Sequence, residues 1–535
     1  MPRETLSLKK KQTSVNKALE GSPSHSEKPK LSPGDGVEQG HLSHEAPVAF
    51  DKRHIQSISL LVPARRFSVD FDVTCKVALP AILESALMLI DQLMQISPGE
   101  LQNFFGLNDN ERESLLQDLL DTELVEISEV GLVCPTERMT ALRRENQSIL
   151  LEDVNNHRET FVVDTLTGHI QPRAESSPLR GLPEVHLASR DNEPLDYSSV
   201  FQQQFSRFQQ CINNRDLQRM STKLYRVNRC SHDRVTTVPV SLDIYAQQDP
   251  LHGLRLEPRI FGFSEKNHSL LSSSGLIGKA TQYIDELPKR NMALSLGEYC
   301  DLVDDTVLSR YNRDDWFDLE ALLKDRRKRK TGYGSERTRL MLGPVYFENN
   351  SNLLHWLSHQ PKTAKLNKAL WVPADTELWG ASVKLGPFIQ MVNSSLSDHE
   401  SFLSVLSPAP DKADVSNLFK AYRGRIQNLT GFSKAKPLNN IEILILPGDP
   451  GWAMCQYHAY LNPKWGLGGL TVPIGYSTYD PIRVEQLWKI VRNRFPYADS
   501  HHNILGQRED TEAVAKLIDT QWGEWNLGGV DKIIT

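Results

Sequence analysis

The spacing of apolar residues changes repeatedly along this chain, and each change marks an element. Ile55-Gln56-Ser57-Ile58-Ser59-Leu60-Leu61-Val62 reads as a strand or extended lead-in. Pro80 suits the first turn of a helix, and Ile82, Leu83, Ala86, Leu87, Ile90, Leu93 and Met94 then fall on one face. Ser97-Pro98-Gly99-Glu100 supplies an N-cap, a proline and an acidic first turn, so a second helix is expected through Phe105. Asn108 or Asp109 caps a third helix striped by Leu115, Leu116, Leu119 and Leu120. Leu124 to Ile127 and Leu132 to Pro135, joined by Ser128-Glu129-Val130-Gly131, predict a short hairpin.

Beyond Arg143-Arg144 the pattern is mixed. Thr160 to Asp164 reads as a strand, Pro172 to Pro194 as a Pro/Ser-rich connection, and Ser199 to Leu224 as a helix burying Val200, Phe201, Phe205, Phe208, Ile212 and Leu217. Val238 to Tyr245 and Arg259 to Phe263 read as strands. From about 266, strands at Leu340–Phe347, Ala369–Pro373, Ile441–Pro447 and Leu470–Ile474 alternate with helices at Asn352–His359, Gly386–Leu396 and Arg483–Phe495. Continuous β-branched runs alternating with helices predict a mostly parallel sheet. The expected fold class is therefore α/β with α+β. It has four parts: a tail over 1–50, a winged-helix-like unit over 51–145, a small α+β region over 146–265, and an α/β domain over 266–535.

Three helices followed by a hairpin resemble a winged helix-turn-helix over about 75 to 140, a family whose third helix commonly reads DNA. Asp109, Glu111, Glu113, Asp118, Asp121, Glu123, Glu126 and Glu129 surround the reading helix and wing, against Arg112. Phosphates are held by cations that displace condensed counterions, so this acidic face favours protein docking over DNA reading.

Composition sharpens the class more than the chemistry. The chain of 535 residues is 39% hydrophobic and 24% charged with a formal charge of -6, the profile of a globular protein of several domains. Residues 1–50, rich in Ser, Pro, Gly, Lys and Glu, cannot bury enough apolar surface to offset ordering entropy and read as a disordered tail. No apolar run approaches a bilayer span, and Lys9, Lys10 and Lys11 precede polar residues where a signal peptide needs an apolar stretch. The six scattered cysteines form no CxxC pair, which fits reduced thiols in a cytoplasmic protein.

Candidate chemistry gathers in two places. Asp449 follows the Ile441–Pro447 strand, and His458 comes nine positions later. Strand, loop and His-x-x-Leu element resemble one lobe of the phospholipase D-like superfamily, and the resemblance implies a histidine attacking a phosphodiester. That family uses two His-x-Lys motifs. Here the position reads His458-Ala459-Tyr460, Lys464 is out of register, and no second His-x-Lys occurs, so a structural His458 is expected. If the site were active, Asp449 and His458 would be its acid-base pair.

The second place is the basic segment 324–339, with Lys324, Arg326, Arg327, Lys328, Arg329, Lys330, Arg337 and Arg339 around Tyr333. Cations with an aromatic on a Gly-punctuated loop suit phosphate contact and base stacking, although a solvated loop or a nuclear localisation sequence has the same composition.

Elsewhere signals are thin. His355 and His359 have metal-sharing spacing without a third ligand, His501-His502 beside Asp499 suits a loop, and Cys230-Ser231-His232 reads as a thiol and imidazole pointing apart on a strand. No GxxxxGK[ST] occurs, Gly466-x-Gly468-Gly469 leads into a strand, and neither cofactor nor metal is expected. The expected role is a nucleic-acid-associated accessory subunit of a larger intracellular assembly, with other protein subunits as partners and no membrane insertion. A winged helix joined to an α/β lobe resembles accessory proteins of bacterial anti-phage systems. A phosphodiesterase-like enzyme and a scaffold without nucleic acid are the alternatives.

Overall fold

The computed structural model describes residues 52–144, 150–172, 181–187, 196–212, 214–215, 217–218, 222–249, 253–262, 264–289, 294–313, 316–350, 352–361, 366–436, 439–495 and 500–526. The expected tail over 1–50 and Asp499 lie outside them, as does most of the Pro/Ser-rich connection.

One long strand organises the first half. In β1 (Arg53–Ala78), beyond a bulge at the buried Ile55, the buried apolar residues alternate as Ile58, Leu60, Val62 and Ala64, then Phe67, Val69, Phe71 and Val73. Side chains alternate faces along a strand, so this change of parity turns the second half's apolar set to the opposite face. The first set joins the large central core, and the second set forms a separate phenylalanine-rich core.

The chain leaves β1 for α1 (Ala81–Leu93), α2 (Pro98–Phe105), α3 (Asp109–Asp121), the hairpin β2 (Val125–Ile127) and β3 (Val133–Pro135), and α4 (Glu137–Arg144). Full capping boxes start α2 and α3: Ser97 with Glu100, and Asn108 with Glu111. Leu83, Leu87, Ile90, Leu101, Leu115, Leu119 and Val133 share a small core of their own.

The chain then returns to β1's sheet through β4 (Leu150–Asp164) and β5 (Ile170–Gln171). Two short helices follow, α5 (Tyr197–Gln203) and α6 (Phe205–Cys211), then β6 (Lys223–Asp249) and β7 (Gly253–Ile260). All neighbours in the order β5-β4-β1-β6-β7 are antiparallel. The helices around 81–144 are thus an insertion between β1 and β4, and β1 is paired with β4 and β6 rather than with that insertion. The helix expected over 199–224 is shorter, since Lys223 already opens β6. Its buried residues Phe201, Phe205 and Phe208 do cover Phe67, Phe71 and Phe161.

A helical stretch follows: α7 (Glu265–Ser273), α8 (Leu276–Glu286), α9 (Leu296–Val303), the strand pair β8 (Asn312–Arg313) and β9 (Trp316–Phe317), and α10 (Leu319–Arg327). The second sheet takes β10 (Thr338–Leu342), then, after α11 (Asn352–Ser358), β11 (Ala369–Val372). Beyond α12 (Leu385–Ser397) come β12 (Leu403–Pro408), α13 (Lys412–Tyr422), β13 (Leu429–Phe432), β14 (Ile441–Leu446), β15 (Trp452–Tyr460) and β16 (Thr471–Thr478). The chain closes with α14 (Pro481–Arg494), β17 (His501–Leu505), α15 (Arg508–Ile518) and α16 (Trp522–Asn526). Helices and sheets are mixed throughout, consistent with an α/β class.

The sheet order is β10-β16-β15-β14-β11-β12-β13-β17, and only β11-β12-β13 run parallel. The expected mostly parallel sheet is corrected here. Pro447 to Gly451 can turn a hairpin but cannot make the dozen-residue crossover that parallel neighbours need. The strands read as continuous apolar runs because both faces are covered. Ile441, Ile443 and Ile445 meet α14 and α9 in the central core, while Leu444 and Leu446 meet α11 and α12 in another. The central core holds β1 and β6 residues together with Ile441 and Trp488, so it runs continuously across the boundary expected at 266.

A charged cluster reinforces that junction. Asp243 on β6 meets Lys384 Nζ at 2.7 Å and His54 Nε2 at 3.1 Å. Burial raises the Asp243 carboxyl, but the hydrogen bonds and charges of His54 and Lys384 outweigh it and hold the pKa below the ordinary value. A lowered folded pKa contributes stability that is present above the unfolded carboxylate range and is lost as pH falls through the folded value. Asp243→Asn should therefore cost about 1–2 kcal/mol at neutral pH and progressively less below pH about 4. Thermal midpoints of both proteins across an acid series measure this; a gap that widens on acidification would contradict it.

Candidate functional site

The basic segment begins on α10. Asp318 caps the helix, accepting from Ala321 N–H, and Leu319, Leu322 and Leu323 are buried. Lys324, Arg326 and Arg327 fall in the last turn, where cations offset the helix dipole. Part of the charge run therefore has a structural role. Arg329 then takes a left-handed conformation (φ 56°), its N–H donating to Arg326 O, and Lys330 N–H returns to Asp325 O. Cations needed at a helix end, followed by a tight turn, place side chains from both around one concavity.

That concavity, of about 450 Å³, is lined by Arg326, Arg329 and Arg339 with Asn349, Asn352 and Ser477 among its polar groups; among the described residues no carboxylate lines it. Among the described residues, none of the three arginines forms an ion pair. Arg326 is half-buried, and both its burial and the neighbouring Arg53 lower its pKa. A desolvated guanidinium beside another, without an acid, is costly unless an anion completes the group.

The remaining segment residues divide. Lys324 pairs with Glu320 at 2.8 Å, and Arg327 is also engaged within the protein. Lys328, Lys330 and Arg337 are exposed. Tyr333, expected to stack on bases, turns inward: its hydroxyl donates to Asp305 Oδ2 at 3.0 Å, and its ring packs near Tyr476 and the Arg483 guanidinium. It anchors the segment to the core, and this replaces the expected stacking role.

The histidine and aspartate of the second candidate are not brought together. Asp449 is exposed in the turn between β14 and β15. His458 is buried six residues beyond Trp452, the start of β15, roughly 20 Å away at the usual strand rise. An acid-base pair at that separation is impossible, so the expected pairing is corrected.

His458 has a different partner. Its Nε2 lies 2.7 Å from Glu442 Oε2, and Trp371 Nε1 donates to Glu442 Oε1 at 2.8 Å. Glu442 faces Gln456 across the β14–β15 pair, which makes His458 its diagonal neighbour. The cavity beside them measures about 20 Å³, room for one water at most. A histidine sealed in this way is a structural hydrogen-bonding group. Sequence reasoning missed Glu442, although a carboxylate inside Ile-Glu-Ile-Leu-Ile-Leu already demands a partner.

The minor candidates resolve simply. Cys230 and His232 lie two apart on β6 and pair with Val69 and Phe67, so they share a face rather than point apart. Burial, then Asp196, raises the Cys230 thiol pKa, which disfavours the thiolate a nucleophile needs. His359 Nδ1 contacts His355 O on α11 at 2.7 Å, and His501 and His502 pair with β13. Among the described residues no group of three His, Cys, Asp or Glu is placed to hold a metal, and no helix is long and apolar enough to cross a membrane.

No family model, curated protein or solved structure matches this chain.

Proposed function

We propose that this protein is a nucleic-acid-associated accessory subunit, contacting phosphates through the basic segment and a protein partner through the inserted helical unit. The observation that carries the reading is the convergence of Arg326, Arg329 and Arg339 on one concavity, with no acid among the described residues that line it. Lys328 and Lys330 extend the positive surface beside it. On the insertion, Met88, Leu93, Met94 and Phe104 are exposed apolar groups, and α3 carries Asp109 and Glu111 in its first turn, features that disfavour DNA and suit a basic protein partner.

Replacing Arg326, Arg327, Lys328, Arg329 and Lys330 together by Ala tests the phosphate contact. Each lost phosphate contact on duplex DNA lowers the salt slope of log affinity by about 0.9. Mobility shift with DNA and RNA across a salt series should show weaker retention and a shallower slope in the variant. Unchanged retention at every salt concentration would remove the reading.

A further inference from the structure

The concavity bounded by α10, β10 and the start of α11 has more definition than a surface that merely tracks a phosphate backbone. Its volume, about 450 Å³, lies within the range of small-molecule sites. A continuous duplex passes over such a cup, whereas a strand end or a single nucleotide enters it. Arg326, Arg329 and Arg339 all line it, and among the described residues no carboxylate does.

Charge then discriminates among phosphates. A backbone diester brings one negative charge, while a monoester brings about −1.5 to −2 with three strong acceptor oxygens. Guanidinium forks pair with such oxygens bidentately, so a monoester matches three converging arginines better than a diester does.

Uncharged polar groups complete the wall. Asn352 and Ser477 both line the cup, and Asn352 Nδ2 donates to Ser477 Oγ at 2.9 Å.

We propose that the Arg326/Arg329/Arg339 cup is a binding site for the phosphomonoester of a nucleotide, present either at the end of a strand or as a free nucleotide. The arginines take the phosphate, and Asn352 and Ser477 form a polar wall beside it. This deepens the phosphate-contact reading and rests on it.

The full chain would be tested by fluorescence anisotropy with a short single-stranded oligonucleotide, with and without a terminal phosphate. The end-phosphorylated strand should bind at least about tenfold more tightly, equivalent to roughly 1.4 kcal/mol. Arg339→Gln, an exposed change on an edge strand, should erase that preference. Asn352→Asp should erase it as well, by placing a like charge beside the phosphate. Long duplex, which also meets Lys328 and Lys330, should be weakened less than the end-phosphorylated strand by either change.

Competition separates the two sources. Displacement by a nucleoside monophosphate, but not by the same concentration of inorganic phosphate, assigns the cup to free nucleotide. Preference for the end phosphate without such displacement assigns it to strand ends. Equal binding of the two oligonucleotides, with no calorimetric signal for the monophosphate, would overturn the cup while leaving the duplex contact standing. Loss of all oligonucleotide and duplex binding in the unmodified protein would overturn both.

Discussion

Glu442→Ala is expected to lower stability by about 3–5 kcal/mol, the scale for removing one partner of a buried charge-assisted pair. The carboxylate is the shared acceptor for Trp371 Nε1 and His458 Nε2, and both residues are buried in the second sheet. Alanine leaves two donors without an acceptor, in a place where at most one water can enter. Glu442→Gln should be far milder. Its amide oxygen still accepts from Trp371, and its NH₂ can donate to His458 once the imidazole proton moves to Nδ1. Urea unfolding of the three proteins gives the ranking. An alanine variant within about 1 kcal/mol of the parent would show that the triad does not hold these strands.

The same triad shows what sequence could not reveal. Glu442 and His458 are both conspicuous as polar residues in apolar strands, but their pairing depends on β14 and β15 being antiparallel neighbours in one register. Apolar runs buried on both faces look alike in parallel and antiparallel sheets. Strand direction was available only from the shortness of the Pro447–Gly451 connection. Local signals were more legible. The capping residues Ser97 with Glu100 and Asn108 with Glu111 sit three positions apart, and the helices they start are where those residues place them.

β1 was half legible. Ile55 to Val62 reads as extended, and the alternation of Val69, Phe71 and Val73 with Asp70 and Asp72 carries the period of a strand, which runs on to Ala78. The basic segment was legible as a run of charge and not as a shape. Nothing in the order of its residues indicates that Tyr333 would meet Asp305, or that Asn352 and Ser477 would face Arg326 across a cup. Contacts between residues far apart in sequence are fixed by the packing of whole elements, and local pattern does not encode them.

Gly475→Ala carries the other large expected effect, because it tests that packing at the backbone itself. Gly475 lies within β16 between β10 and β15, pairing with Met341 on one side and Gln456 on the other. A Cβ placed there would lie 2.0 Å from Cys455 O and 2.7 Å from Gln456 Cα, far inside van der Waals contact. Those atoms belong to a central strand, so relief requires β15 and β16 to separate and lose ladder hydrogen bonds. Overpacking of well-packed interiors costs about 1–3 kcal/mol, occasionally more, and rigid backbone on the clashing side favours the upper end. Gly278→Ala supplies the contrast. It is an exposed glycine in α8 with nothing within 4 Å of the added methyl. Helix propensity there should raise stability by up to about 1 kcal/mol. Thermal midpoints that move in opposite directions for the two variants would establish that the loss at Gly475 comes from crowding rather than from replacing glycine. A Gly475→Ala protein as stable as the parent would mean that β15 and β16 do not approach as closely as this register requires.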